Sequence, residues 1–121
     1  MSVKRSCNWE EAYSFCRKSS GNRATLASIG SSAENNFVTS LLYGVHAAWL
    51  GGTYLRTNRW AWIDGNNWNG YTNWRRGEPN NAGGNDQYRR EEKIMIYGGL
   101  GTWNDLSSKR IIGGFVCEYK Y

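Results

Sequence analysis

The chain has 121 residues and a formal net charge of +5, a length that suits one domain over residues 1–121 and excludes two. No apolar run approaches the ~20 residues needed to cross a bilayer, so membrane insertion is not expected. Seven tryptophans, eight tyrosines and 15 glycines point to a loop-rich fold whose rings supply both core and binding surface.

Residues 8–19 read as an amphipathic helix. Asn8 suits the N-cap, and Glu11 stands where a capping box wants a carboxylate. Trp9, Ala12, Tyr13 and Cys16 follow the spacing of one buried face, and Gly21 is a natural stop. Leu26-Ala27-Ser28-Ile29 forms a short strand or extended link. A second helix starts at Ser31 with Glu34 at the box position, and its apolar stripe is Phe37, Val38, Leu41 and Leu42. After Gly44 the pattern changes to short strands: Ala48-Trp49-Leu50-Gly51, then Trp60-Ala61-Trp62-Ile63 followed by a turn at Asp64-Gly65-Asn66-Asn67. From Trp68 to Asn85 runs a long loop whose tryptophans argue for order. Lys93 to Tyr97 is a strand of β-formers, Trp103 begins another, and Gly114 to Tyr121 makes the last. Little precedes Trp9, so any first strand is short.

The stretch from Gly77 to Asp105 carries the chemistry. Glu78, Asn80, Asn104 and Asp105 offer only oxygen ligands, the set that a hard cation such as Ca2+ selects. Pro79, the chain's single proline, sits between two of them, where it fixes φ and permits a cis peptide bond. Nothing suggests an enzyme: there is no nucleophile–base pair, histidine cluster or phosphate loop. His46, the single histidine, has no ligand partner at metal spacing and reads as a surface or packing residue. Arginine pairs at Arg75-Arg76 and Arg89-Arg90 read first as a solvated face; without a DNA- or RNA-binding motif, nucleic acid is not an expected partner.

Cys16 lies on the buried face of the first helix and Cys117 in the last strand. If those elements meet, a disulfide closes a loop of about 100 residues, worth roughly 4–5 kcal/mol in the chain-entropy model, and implies an oxidising compartment. Cys7 is then left over as a free thiol or an interchain bridge. No secretory signal follows Met1, which leaves a cytoplasmic protein or a mature region carrying an added methionine.

Taken in order, these pieces resemble a C-type lectin-like domain over nearly the whole chain. They are Trp9-Glu10-Glu11-Ala12 leading to Cys16, Leu26-Ala27-Ser28-Ile29, the Ser-x-x-Glu helix, Trp49-Leu50-Gly51-Gly52 and Trp60-Ala61-Trp62-Ile63-Asp64-Gly65. Tyr71-Thr72-Asn73-Trp74, Gly77-Glu78-Pro79-Asn80, Trp103-Asn104-Asp105 and Phe115-Val116-Cys117-Glu118 complete the set. The resemblance implies an α+β fold, with two helices flanking small antiparallel sheets and a long calcium-binding loop region. It implies a Ca2+ site made by Glu78, Asn80, Asn104 and Asp105, with Asp86 as the additional acid and Glu91 as its competitor. It also implies glycan ligands, a secreted or extracellular location, and homo-oligomers as a means to avidity, with Cys7 one route to them.

In that family the Glu-Pro-Asn order goes with equatorial vicinal diols, as in mannose, glucose, N-acetylglucosamine and fucose, whereas Gln-Pro-Asp goes with galactose. Glu78 and Asp86 would take the hydroxyl protons, Asn80 and Asn104 would donate, and Trp68 is a candidate stacking surface. The chain departs from the family in three places. The second disulfide near the site is missing, with Tyr88 or Lys93 at the first position and Ser108 at the second. The loop Thr53-Tyr54-Leu55-Arg56-Thr57 lacks the acids of an additional calcium site, and the first strand is cut short.

Overall fold

A computed structural model describes residues 1–55, 57, 59–79 and 92–119. In chain order the elements are β1 (Ser2–Val3), α1 (Trp9–Ser19), β2 (Ala24–Leu26), α2 (Ser32–Ser40), β3 (Ala47–Tyr54), β4 (Trp60–Trp62), β5 (Lys93–Tyr97), β6 (Trp103–Leu106) and β7 (Gly114–Tyr119). The strands run β1-β7-β3-β5-β6 across one sheet, with β2 paired to β7 and β4 to β3. All pairings are antiparallel except β3 with β7. This is the expected α+β arrangement, with its sheet mixed rather than purely antiparallel.

Both helices start where their caps place them. Asn8 accepts from Glu11 N while Glu11 Oε1 accepts from Asn8 N, at 2.9 and 3.0 Å. Ser31 Oγ accepts from Glu34 N at 3.1 Å. α1 ends at the expected glycine, where Gly21 (φ 63°) and Asn22 (φ 69°) adopt the left-handed conformation and Asn22 N closes on Arg17 O. α2 departs from expectation. Its buried positions are Asn35 and Val38, and Phe37 is 65 % exposed, because it stands about 100° around the helix from Val38. The chain enters β2 at Ala24, earlier than expected, and β4 ends at Trp62, leaving Ile63 at the surface.

The central strands are buried on both faces, and period-2 alternation divides their side chains between two cores. Ala47, Trp49, Met95, Phe115 and Cys117 face α1, where they meet Trp9, Ala12 and Cys16. Ala48, Leu50, Ile94, Ile96 and Val116 face the other way, onto Val38, Leu42, Trp62 and Trp103. The Cys16–Cys117 disulfide joins α1 to β7 inside the first of these cores.

Cys7 is a free thiol only 5 % exposed. Its backbone exchanges hydrogen bonds with Ile112, and Cys7 O accepts from Trp49 Nε1. The buried thiol lends no support to an oligomer bridged through Cys7. Where the family's second disulfide is missing, Ser108 Oγ donates to Glu92 Oε1 at 3.3 Å. Beside that contact, Lys93 Nζ donates to Thr53 Oγ1 at 2.7 Å and lies over the Trp9 ring.

Candidate functional site

β6 closes one end of the strand order, and its first residue is the fixed point from which the site is built. Trp103 is fully buried. Its indole Nε1 donates to Asn35 Oδ1 at 2.8 Å, and Asn35 Nδ2 donates to Gly101 O at 2.9 Å. Asn73 Nδ2 donates to the same Gly101 carbonyl. A buried carboxamide on α2 therefore ties the helix to the β5–β6 turn and to the tryptophan that precedes Asn104 and Asp105. Gly101 (φ 71°) is needed in that turn, because a Cβ there would lie 2.6 Å from Thr39 Oγ1.

The segment leading to Glu78 is fastened to the outer edge of the same strand. Trp103 N donates to Asn73 O, Arg75 N to Trp103 O, and Glu78 N to Arg75 O, at 2.8, 2.7 and 2.9 Å. Trp74 and Trp103 make an isolated parallel bridge. Two loops distant in sequence are thus brought to one strand edge, with Glu78 one short turn beyond the residue bonded to Trp103. The Glu78–Pro79 peptide is cis.

Around Trp103 the aromatic side chains make a continuous cluster. Trp62, Trp68, Tyr71 and Trp74 all contact its ring edge to face or steeply tilted, with centroids 5.7–6.4 Å away. Trp68 stacks on Trp62 at 5.0 Å and on Trp60 at 6.5 Å, so most of its surface is committed to packing. Its remaining face lines a shallow cleft of about 340 Å³ with Leu55, Arg59, Trp60 and Ala61. Trp60 is half-buried and shares that cleft.

Among the predicted site residues, the structure brings Glu78, Asn104 and Asp105 to the β6 edge. Asn80, Asp86 and Glu91 lie outside the described residues, as do Tyr88, Arg89 and Arg90. Asp105 is 1 % exposed, Glu78 is half-buried with Oε1 shielded from solvent, and Asn104 is half-buried. Asn104 and Asp105 occupy successive strand positions, so their side chains lean to opposite sides of the strand. Asn104 Nδ2 donates to Tyr97 Oη at 3.2 Å, whereas Oδ1 is buried with no hydrogen-bond donor among the described residues. A buried carbonyl oxygen with no donor is costly unless something electropositive meets it.

The described donors are two carboxylates and an amide oxygen, which fits a hard cation. Among the described residues, no group of three His, Cys, Asp or Glu side chains is placed to hold a metal ion. Any such site therefore needs the amide oxygens and the acids of the intervening loop. His46 is exposed and meets Tyr97 edge to face, as befits a packing residue.

The Lectin C-type domain family model matches residues 5–119. The chain belongs to the C-type lectin family. Ladderlectin of Oncorhynchus mykiss is 37 % identical to this C-type lectin over 113 residues, spanning 88 % of the chain and 55 % of the relative. A C-type lectin mannose-binding isoform of Oxyuranus scutellatus is 33 % identical, over 94 % of the chain and 72 % of the relative. A galactose-specific lectin, nattectin, of Thalassophryne nattereri is 34 % identical over 61 % of the chain and 47 % of the relative. The chain thus spans between about half and three-quarters of these relatives' lengths. Among solved structures, the cow carbohydrate-recognition domain of CD23 in the presence of a GlcNAc2Man3 oligosaccharide superposes with a TM-score of 0.82. It is 27 % identical over 99 % of this lectin domain and 86 % of that chain. No helix among the described residues is long and apolar enough to cross a membrane.

Asn35 and Asn73 hold the turn before Trp103, and Tyr97 accepts from Asn104; none of the three is singled out by the sequence. Asn35 had a readable signal: it lies three residues before Val38, on the buried side of α2, and a carboxamide on an apolar stripe demands partners. Tyr97 gave none, since a tyrosine at a strand end is ordinary.

Proposed function

We propose that this lectin domain binds sugars through one Ca2+ ion, with a preference for the equatorial vicinal diols of mannose-type saccharides. The carrying observation is the pose of Asn104: its NH2 is engaged by Tyr97, and its buried oxygen has no hydrogen-bond donor among the described residues. That pose suits an oxygen held for a cation. Glu78, Asn80, Asp86, Asn104 and Asp105 are the proposed ligands. When bound, the ion supplies open coordination positions that two neighbouring hydroxyl oxygens fill.

The remaining work belongs to the chain. Glu78 and Asp86 each accept a hydroxyl proton, and Asn80 and Asn104 each donate an N–H to a hydroxyl oxygen, so each hydroxyl is both donor and acceptor. Relatives of this chain include a mannose-binding isoform and a galactose-specific lectin, so kinship alone does not select the sugar. The order of acid and amide in Glu78-Pro79-Asn80 favours the mannose type. Trp68 faces its cleft as a secondary surface for a longer glycan.

A site this shallow gives millimolar affinity for one sugar, which corresponds to about 4 kcal/mol, and useful binding then comes from several sites engaged together. The Cys16–Cys117 disulfide supports an oxidising, extracellular setting.

A glycan array probed in calcium and again in chelator tests the reading. Mannose-, glucose-, N-acetylglucosamine- and fucose-terminated glycans should score in calcium alone. A signal restricted to galactose would overturn the sugar preference. Binding to heparin that ignores the chelator and fades in moderate salt would overturn the mechanism.

A further inference from the structure

Asn104 has a second-layer contact that decides which end of its carboxamide meets the site. A carboxamide presents two hydrogens at one end and an acceptor at the other, and a half-turn about χ2 exchanges them. For the calcium-dependent reading above, on which this inference rests, only one of the two poses works. The oxygen must face the cation, and the nitrogen must keep a hydrogen for the sugar.

Tyr97 is placed to enforce that pose. It ends β5, and it lies on the same side of the sheet as Asn104, which pairs with Met95 in register. Its hydroxyl oxygen accepts from Asn104 Nδ2 at 3.2 Å and from Arg75 Nη1 at 3.4 Å. Arg75 also holds its guanidinium over the Tyr97 ring, 5.3 Å from the centroid, and His46 flanks that ring at 6.0 Å. A guanidinium can only donate, so the phenol presents its lone pairs to Arg75 and turns its own proton away. The same electron-rich side of the oxygen receives the Asn104 amide. The backbone bond from Arg75 N to Trp103 O anchors the arginine to the strand that carries Asn104, so brace and ligand move together.

We propose that Tyr97, braced by Arg75, is a positioning residue for Asn104: its hydroxyl takes one carboxamide hydrogen, leaves Oδ1 to the cation and leaves a single N–H for one sugar hydroxyl. Arg75 thereby has a role in the site without touching the ligand, which accounts for one member of an arginine pair that reads in the sequence as a solvated face.

Tyr97→Phe tests this, because it keeps the ring and both of its neighbours and removes only the oxygen. Three quantities are read: the Asn104 side-chain NH2 resonances in calcium-free protein (assigned by their loss in Asn104→Asp), the calcium Kd, and the mannoside Kd at saturating calcium. A net hydrogen bond of about 1 kcal/mol corresponds to a five- to tenfold change. Tyr97→Phe should therefore shift the Asn104 resonances and raise the calcium Kd about five- to tenfold. It should weaken mannoside binding and lower the melting temperature in chelator by only a few degrees, while Tyr43→Phe, at an exposed position, changes none of these.

Should Tyr97→Phe lose its fold, Arg75→Leu at an exposed position is expected to move the same resonances and raise the calcium Kd about two- to threefold. Unmoved resonances, or a calcium Kd within twofold of the parent, would overturn the inference. A parent protein that binds neither calcium nor mannoside would instead overturn the function proposed above, and the calcium-free resonances would still report on the hydrogen bond.

Discussion

Asn35 and Cys7 are both buried, and their chemistry makes them consequential. Asn35 satisfies its carboxamide on Trp103 and Gly101, so its removal would leave a buried indole N–H unpaired and free the turn before Asn104 to move. Cys7 is shielded by the sheet, and burial pushes its thiol up from the ordinary value of 9.0; Glu11 pushes the same way and Arg5 opposes. A thiol raised on folding favours its neutral form in the folded chain. Its contribution to stability is therefore complete below the unfolded value and is lost as pH rises through the folded one.

Two outcomes follow for Cys7. A thiol reagent at pH 7.5 should label it slowly in the native protein and rapidly in denaturant, giving one thiol per chain. The stability difference between the parent and Cys7→Ala should also shrink as pH is raised from 8 toward 10, measured by urea unfolding at each pH. Rapid native labelling would contradict the burial, and a pH-independent difference would contradict the shift. At this scale the sequence was readable for residues whose chemistry is loud. Glu78, Asn104 and Asp105 stand out as the oxygen-bearing side chains proposed to hold the ion, and the Asn8–Glu11 capping box announces itself by spacing. Phe37 misled because hydrophobicity outweighed its angular position, and Tyr97 was silent because its role depends on which strand lies beside it.

Among the elements, the five-residue β5 and the turn that follows it set the position of β6. Gly98 is the tight point of that turn. Its N–H donates to His46 O at 2.8 Å, and a Cβ on it would overlap the backbone carbonyl oxygen of Val45. A backbone atom does not yield as the tip of a flexible side chain does, so Gly98→Ala should cost about 3 kcal/mol. Gly99→Ala, in the same turn with nothing within 4 Å of its Cβ, should stay within about 1 kcal/mol of the parent. Chemical denaturation of the two variants checks the pair, and equal effects would contradict the close approach.

Element types were legible because periodicity is local: α1, β5 and the start of β7 lie where capping and alternation put them. The parallel pairing of β3 with β7 was not legible, because register between strands far apart in sequence is a product of tertiary packing.

The whole molecule depends on closing its ends together. β1 pairs with β7 at only two positions, Ser2 with Val116 and Val3 with Phe115, so this short strand contributes little area. The Cys16–Cys117 bridge spans a sequence separation of 101. Constraining a loop of that length is worth roughly 4–5 kcal/mol in the chain-entropy model. Against a typical domain stability of about 5–15 kcal/mol, Cys16→Ser with Cys117→Ser should leave the fold marginal at 37 °C, seen as a urea midpoint lowered by half or more. A midpoint within experimental error of the parent would show that the two cores hold the fold unaided.

Ser108, one of the two positions at which the family's second disulfide is missing, donates to Glu92, a contact worth about 1 kcal/mol. Calcium is then expected to contribute more to the stability of this lectin than it would to a doubly bridged relative. The most direct test of the central claim is calorimetric titration of methyl α-mannoside into the calcium-loaded domain, repeated in excess chelator. Heat fitting a millimolar Kd in calcium and none in chelator is the predicted result; equal binding in both, or none in either, would contradict it.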